Sequence, residues 1–428
     1  MNTRHIQRNG QTGSVLMVAL VTALVLGIAL ASYLLLMQHQ SRMVNRGQAW
    51  NHALALAEAG VEDAMAQLNR AFGTNNSRGG INGWSGSASG PASLAAPRAL
   101  SGGTYAVTIS AGLPIITSTG RVVIANSSQN VERAVRVRCA VKPAFEAAIV
   151  AKRDIVFSGN KIEVDSYDSN DPTHSTTNGL YNKATRKAGG DVASTEGFIN
   201  VGNAEVKGKL YTGPINAGQY SVGPSGSVGD LTWSGPGIQS GWYFNDFNQD
   251  YTPVDDPYLN ISPPPAPTSS GTNRWLLSNG QYKFDGNFSA SSSETIYVAG
   301  AATVYVTGNF SMKGKISIGP NASLKLYVGG ASTTMNNVNT VGNAKSFEYY
   351  GLPTNKGINW SGNDAYVGTV YAPQASLKMG GGGNSDFDFQ GACVVEAMAL
   401  NGHFTFHYDE ALKKGVASGF VVSMWEED

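Results

Sequence analysis

The chain has little that would let it cross-link, ligate a metal or bind nucleic acid. It carries two cysteines, Cys139 and Cys393, too few for a disulfide-built scaffold. They are compatible with one long-range disulfide in an exported chain or with two buried thiols. No cysteine or histidine cluster has the close spacing of a zinc site, so neither a metal nor a cofactor is expected. Only 14% of the residues are charged, 30 basic against 30 acidic. Without a clustered basic surface there is no electrostatic footprint for nucleic acid. Proline is absent before Pro91 and acidic residues are absent before Glu58, so no proline breaks a helix at the start of the chain.

What the chain does have is a run of 24 residues, Ser14 to Met37, without a charge. At about 1.5 Å per residue a helix of that length covers roughly 36 Å, enough to cross a hydrocarbon layer of about 30 Å. Arg4, His5 and Arg8 precede the run, and that bias places the N-terminus in the cytoplasm and the rest beyond the inner membrane. Further on, Trp50, Leu54, Ala57, Val61, Met65, Leu68 and Phe72 recur at steps of three and four. That spacing predicts one apolar face of an amphipathic helix over 38–72. Unbroken from 14 to 72, the helix would be roughly 90 Å long, with Gly27, Gly47 and Gly60 as weak points of about 1 kcal/mol each.

A basic leader ending in Gly13, an apolar helix starting at Ser14 and the stretch ALALAEAGVEDA over 53–64 together resemble the N-terminal region of PilX-type pilus assembly proteins. The resemblance implies that residues 1–13 are a leader and that a prepilin peptidase cuts between Gly13 and Ser14. It also implies that the apolar helix, with Val18, Leu20, Leu24 and Leu26, holds the subunit in the bilayer and then among the helices of other pilins or pseudopilins. Val18 stands at the fifth mature position, where major pilins carry a glutamate. Minor pilins and K-type pseudopilins resemble this chain in lacking it, which points to a minor, initiating or tip component. Two other readings fit the same residues: a secretory signal peptide cut before Ser32, and an uncleaved signal anchor carrying an envelope scaffold.

Beyond the helix, 52 glycines and low charge predict a turn-rich, mainly β head. Residues 73–103 are built from Gly, Ser, Ala and Pro and read as a loop. Residues 104–145 give three alternating runs, a small antiparallel sheet that would cover the apolar helix face. Over 146–412 short runs of Val, Ile, Tyr and Phe are broken every few residues by Gly-Asn, Asn-Gly or Gly-Pro. This suits a β-solenoid, right-handed β-helix-like, with a β-sandwich as the alternative. The stretch 246–271, with six prolines, reads as an extended excursion, and 413–428 as a C-terminal tail. The C-terminal half also resembles an uncharacterised β-helical domain of bacterial surface proteins, which implies a fold and no activity.

Catalysis needs convergent polar groups, and the candidates are sparse. His403 and His407 share a strand face, but four strand residues span about 13 Å, too far for one ion. Asp386 and Asp388 alternate in NSDFDFQG, a carboxylate pair of the kind glycoside hydrolysis uses. They carry the alternative of an exported carbohydrate-binding or carbohydrate-active β-helix. After residue 143 only Arg153, Arg186 and Arg274 remain as arginines, so no lyase-type cluster is expected. Gly380 to Gly383 lack the following Gly-Lys-Ser/Thr of a phosphate loop. Trp233, Trp242, Tyr243, Phe244 and Trp360 sit beside Gly, Ser or Asn and are the candidates for contact with a surface glycan or protein, the alternative being loop aromatics that cap a solenoid core. The expectation is a non-enzymatic structural subunit, single-pass in the bacterial inner membrane, with its head in the periplasm or on a cell-surface filament.

Overall fold

The computed structural model describes residues 12–71, 82–86, 91–125, 127–159, 162–249, 251–257, 264–269, 274–361, 365–380, 387–414 and 417–427. It divides into two compact units, one of the N-terminal helix with an antiparallel sheet, the other spanning Val141–Gly419. Phe72, Asp386 and Gly381 to Gly383 lie outside the described residues.

In the first unit, helix α1 runs unbroken from Thr12 to Ala71, as the absence of proline allows. Gly13 and Ser14 fall inside it. Val18, Leu20, Leu24 and Leu26 belong to a fully exposed apolar stretch, and the helix is long and apolar enough to cross a membrane. The second half of α1 packs on the sheet formed by β1 (Trp84–Gly86), β2 (Ala92–Leu94), β3 (Arg98–Leu100), β4 (Gly103–Ile109), β5 (Ile115–Val123) and β6 (Asn130–Pro143). The order is β1-β2-β4-β5-β6, with β3 beside β4, and the C-terminal strand Ala417–Glu427 joins at the β6 edge. Residues expected as loop and tail therefore supply four of the seven strands. Alternation is hard to see in three-residue strands, and Gly83, Gly86 and Gly102 make their turns at positive φ, where glycine carries no Cβ penalty.

The buried helix face keeps Ala57, Val61 and Leu68 of the expected one, with Leu54 and Met65 packed at its flank, and departs from it at Trp50. Ala49, Ala53, Leu56, Ala57, Gly60, Val61, Ala64, Gln67 and Leu68 are its buried residues. Trp50 is instead 46% exposed, with the Arg133 guanidinium 4.1 Å above its ring. Small residues carry the interface because helix and sheet approach closely. A Cβ at Gly120 on β5 would collide with the Ala53 carbonyl, and one at Gly60 would collide with Ser118 and lie 2.8 Å from Val107 Cγ2. Gly60 is thus a contact residue rather than a weak point.

The second unit is a parallel β-solenoid of about nine turns, whose described strands join in one 24-stranded sheet. Successive turns repeat at about 22 residues, marked by asparagines: Asn287 Oδ1 accepts from Asn309 N, and Asn309 Oδ1 from Ser332 N, at separations of 22 and 23 residues. Inward positions stack like on like. Tyr366, Phe389 and Phe406 lie in register, with ring centroids 4.5 and 4.3 Å apart. Each buried aromatic is worth about 1.5–3 kcal/mol relative to exposure.

The first turn by sequence, β7 (Ile149–Ala151), β8 (Ile155–Phe157) and β9 (Glu163–Tyr167), sits in the middle of the stack. On one side it pairs with 192–207. On the other it pairs with Phe387–Asn401 and Phe404–Asp409, the last strands of the solenoid. The chain builds outward to one end, and its strands from Arg274 onward return from the other end to close on its own first turn; of the stretch between, residues 246–249, 251–257 and 264–269 lie along the solenoid. The stretch is anchored turn by turn. Phe247 N donates to Thr212 O, Tyr251 Oη to Ala151 O at 2.8 Å, Tyr371 Oη to Thr252 O at 3.0 Å, and Lys283 N to Pro265 O. Its later part follows an in-register ladder of Lys283, Tyr305, Tyr327, Tyr350 and Tyr371. The proline-rich excursion is a strap.

Candidate functional site

The densest polar cluster lies where the last turn closes on the first. Strand Phe404–Asp409 pairs in parallel with β9, so His407 stands opposite Asp165 and Thr405 opposite Glu163. On its other side, Gln390 stands opposite His407 and Asp388 opposite Thr405. Alternation sends Phe406, Phe389 and Val164 into the core and turns these polar residues outward.

His407 is nevertheless buried, because residues 181–186 fold over it. The Tyr181 ring stacks on the imidazole at 3.4 Å between centroids and 12° between planes. Nδ1 lies 2.5 Å from Asp165 Oδ1, and Nε2 lies 3.7 Å from Asp388 Oδ1. Tyr181 Oη donates to Asp165 Oδ2 at 2.7 Å, and Arg186 Nη1 lies 3.5 Å from the same oxygen and pairs with Glu163. Lys183 adds a 3.0 Å pair to Glu163, and Thr405 Oγ1 donates to Asp388 Oδ1 at 2.5 Å. Burial pushes the His407 pKa down, but hydrogen bonds and charge from Asp165 and Asp388 outweigh it and raise the value. Burial likewise pushes Asp388 up, and bonds from His407 and Thr405 bring it below the usual carboxylate range.

The arrangement sets the imidazole between two carboxylates, with Nδ1 in hydrogen-bond reach of Asp165 and Nε2 facing Asp388, so it binds the last turn to the first. Among the described residues no cluster of His, Cys, Asp and Glu is suited to a metal ion. Asp388, expected as half of a carboxylate pair, is engaged with His407 and Thr405. His403 and His407 do not meet at a common partner; His407 finds Asp165, a residue the sequence reading did not single out.

The aromatic candidates are largely structural. Trp360 is 2% exposed and packs in the solenoid core against Tyr366 and Phe404, its indole donating to Asn336 O. It is not a surface contact residue: its neighbours in the chain are polar, but alternation points its own side chain inward. Tyr243 Oη meets Thr212 Oγ1 at 2.8 Å and accepts from Gly218 N at 2.6 Å, with its ring against Tyr220. Trp233 is half-buried beside Gly229 and Gly235, and its carbonyl accepts from the buried Lys207. Trp242 is half-buried in the last turn at that end.

The cysteines do not form a disulfide. Cys139 is buried in the helix-and-sheet core, 3.6 Å from Met65 Sδ, and Cys393 is buried in the solenoid core, 3.7 Å from Met398 Sδ. Each belongs to the hydrophobic core of its own unit.

Fold and cluster together define a β-solenoid protein with an apolar N-terminal helix, closed by a buried ionic seam. Residues 263–415 match the model of DUF7305, a domain of unknown function; the match includes Asp388 and His407, whereas Asp165, Tyr181 and Arg186 precede it. No curated protein matches the chain. Among solved structures, the competence-associated pilin ComZ from Thermus thermophilus is similar at 12% identity, covering 88% of this chain and 97% of that chain, with a TM-score of 0.28. That score is too low to define a shared fold.

Proposed function

We propose that this chain is a non-enzymatic, membrane-anchored structural subunit of the minor pilin or pseudopilin kind, which assembles laterally through α1 and displays its β-solenoid outside the inner membrane. The observation that carries the reading is α1 itself. One continuous helix is exposed and apolar over Val15–Met37 and docked on a sheet over Ala49–Leu68. A cleaved secretory peptide has no need to continue into the core helix of the domain that follows. The solenoid contributes an extended surface, and its best-formed polar cluster is occupied in holding turns together, which supports a role in display.

The test is the mature N-terminus, read by mass spectrometry from the membrane fraction of cells that express the protein natively. Ser14 is expected, with Gly13→Leu leaving the precursor uncut. Ser32 at the N-terminus, or an intact leader in the native protein, overturns the reading.

A further inference from the structure

The C-terminal strand Ala417–Glu427 is the outer edge of the helix-bearing sheet, and it is unusually apolar for an edge. Val421, Val422, Met424 and Trp425 are between 39% and 48% exposed. Alternation puts Val421 with Trp425 on one face and Val422 with Met424 on the other, so the helix-side face is open and apolar in either register.

The strand runs beside α1 in a known direction. Asn69 exchanges hydrogen bonds with the Phe420 backbone at one end. At the other, Glu427 pairs at 3.3 Å with Arg133, which covers Trp50. From Trp50 to Asn69 is about 28 Å of helix, matched by about 24 Å of strand. The strand stands two places from β5, on which α1 lies; α1 reaches it through Asn69 at its Phe420 end, while towards Glu427 two strand spacings set it about 10 Å to the side. Packed helices lie about 8–10 Å apart. The edge therefore offers a second helix a seat alongside α1.

We propose that this seat takes α1 of a second copy of the chain, through its segment 42–50. That segment exposes Arg42, Met43, Val44, Arg46 and Trp50, apolar and basic. The seat is apolar and acidic, ending in Glu426 and Glu427, whose present pairs with Arg138 and Arg133 are partly exposed and long, at 3.8 and 3.3 Å. The Glu426–Arg138 pair is exposed on both sides, and such pairs contribute little and exchange partners readily, whereas Arg133 in the Glu427 pair is only 11% exposed. The match also fixes an offset. At equal height the Glu427 end of the seat would face Trp50, with no arginine of α1 level with it. Bringing Arg42 and Arg46 level with Glu427 shifts the second copy along the axis by about 6–12 Å. The contact is then heterologous. This inference rests on the assembly reading above and specifies its interface.

The experiment co-expresses two tagged full-length copies in membranes, one Trp425→Cys and the other Val44→Cys, and adds a mild oxidant. A mixed disulfide dimer is expected, since bridging needs Cα atoms within about 7 Å. Arg46→Glu should reduce it at least fivefold, and Glu427→Arg on the other copy should restore it. Leu24→Cys copies report helix-to-helix assembly separately. If Leu24→Cys copies link while the Trp425 and Val44 variants do not, the interface is overturned and assembly stands; if neither pair links, both fall. Linking of Trp425→Cys to Thr117→Cys on the opposite sheet face, or only to a different protein, also overturns it.

Discussion

His407 Nδ1 lies 2.5 Å from Asp165 Oδ1, although 242 residues separate them in the chain. The pair joins the last turn of the solenoid to the first, and its charge state should set how firmly the stack closes. The His407 pKa is raised above its ordinary 6.5, carboxylate contacts outweighing burial. Its contribution is therefore complete below about pH 6.5 and is lost as pH rises through the raised value. Asp388 is lowered from its ordinary 3.8 despite burial, so its contribution is present above that pH and is lost on acidification through the lowered value. The melting temperature should be highest between these limits. His407→Gln should remove the alkaline fall, and a profile unchanged by that substitution would show that the seam does not titrate there.

Removing Asp165 leaves His407 and Arg186 without their shared carboxylate. Asp165→Ala should cost about 3–5 kcal/mol, as for a buried pair that loses one partner. Hydrogen exchange should rise first in 404–409 and in β9. Uniform exchange across the solenoid would argue against a local seam.

Two glycines of α1 should respond to alanine in opposite directions. Gly47 has open space around its would-be Cβ, so Gly47→Ala should stabilise by about 0.5–1 kcal/mol through helix propensity. Gly60 meets Ser118, Val107 and Tyr105, so Gly60→Ala should destabilise by about 1–3 kcal/mol as the core is overpacked. Chemical denaturation of the two variants side by side decides it; a gain at both positions would refute the close helix-to-sheet approach.

The strap is held by tyrosine hydroxyls. Tyr251→Phe loses bonds to Ala151 O and Thr195 Oγ1, and Tyr371→Phe the bond to Thr252 O. Each should cost about 0.5–1.5 kcal/mol, with faster limited proteolysis within 246–271. Unaltered cleavage would show that apolar packing alone secures it.

Burial raises the Cys393 thiol far above its ordinary value, and the thiolate is the reactive form. In the native protein Cys393 should resist maleimide until denaturant is added, and reductant should leave the melting temperature unchanged. A reductant-dependent shift would instead reveal a disulfide.

The parts legible in the sequence were those written in local pattern. The uncharged run to Met37 and the short strands with Gly-Asn corners gave the long helix and the solenoid. The amphipathic face was legible in part: Ala57, Val61 and Leu68 are buried and Leu54 and Met65 pack at its flank, but Ala49, Ala53 and Ala64, which a search for large apolar residues passes over, complete it, while Trp50 satisfies the spacing and faces outward. The 22-residue period was present in Gly-Asn-Phe-Ser at 286–289 and again at 308–311. The seam was not legible. The value of His407 depends on Asp165 arriving by parallel pairing across nearly the whole head, and no local window contains both.

The solenoid is inserted between β6 and the C-terminal strand, which are neighbours in one sheet. Synthesis runs from the N-terminus, so that sheet stays one strand short until residues 417–427 emerge, after every turn of the solenoid has been made. A chain that stops early lacks both a finished solenoid and the last strand of the antiparallel sheet. The order of the chain thus acts as an inspection step: only a chain with its complete solenoid acquires the complete edge.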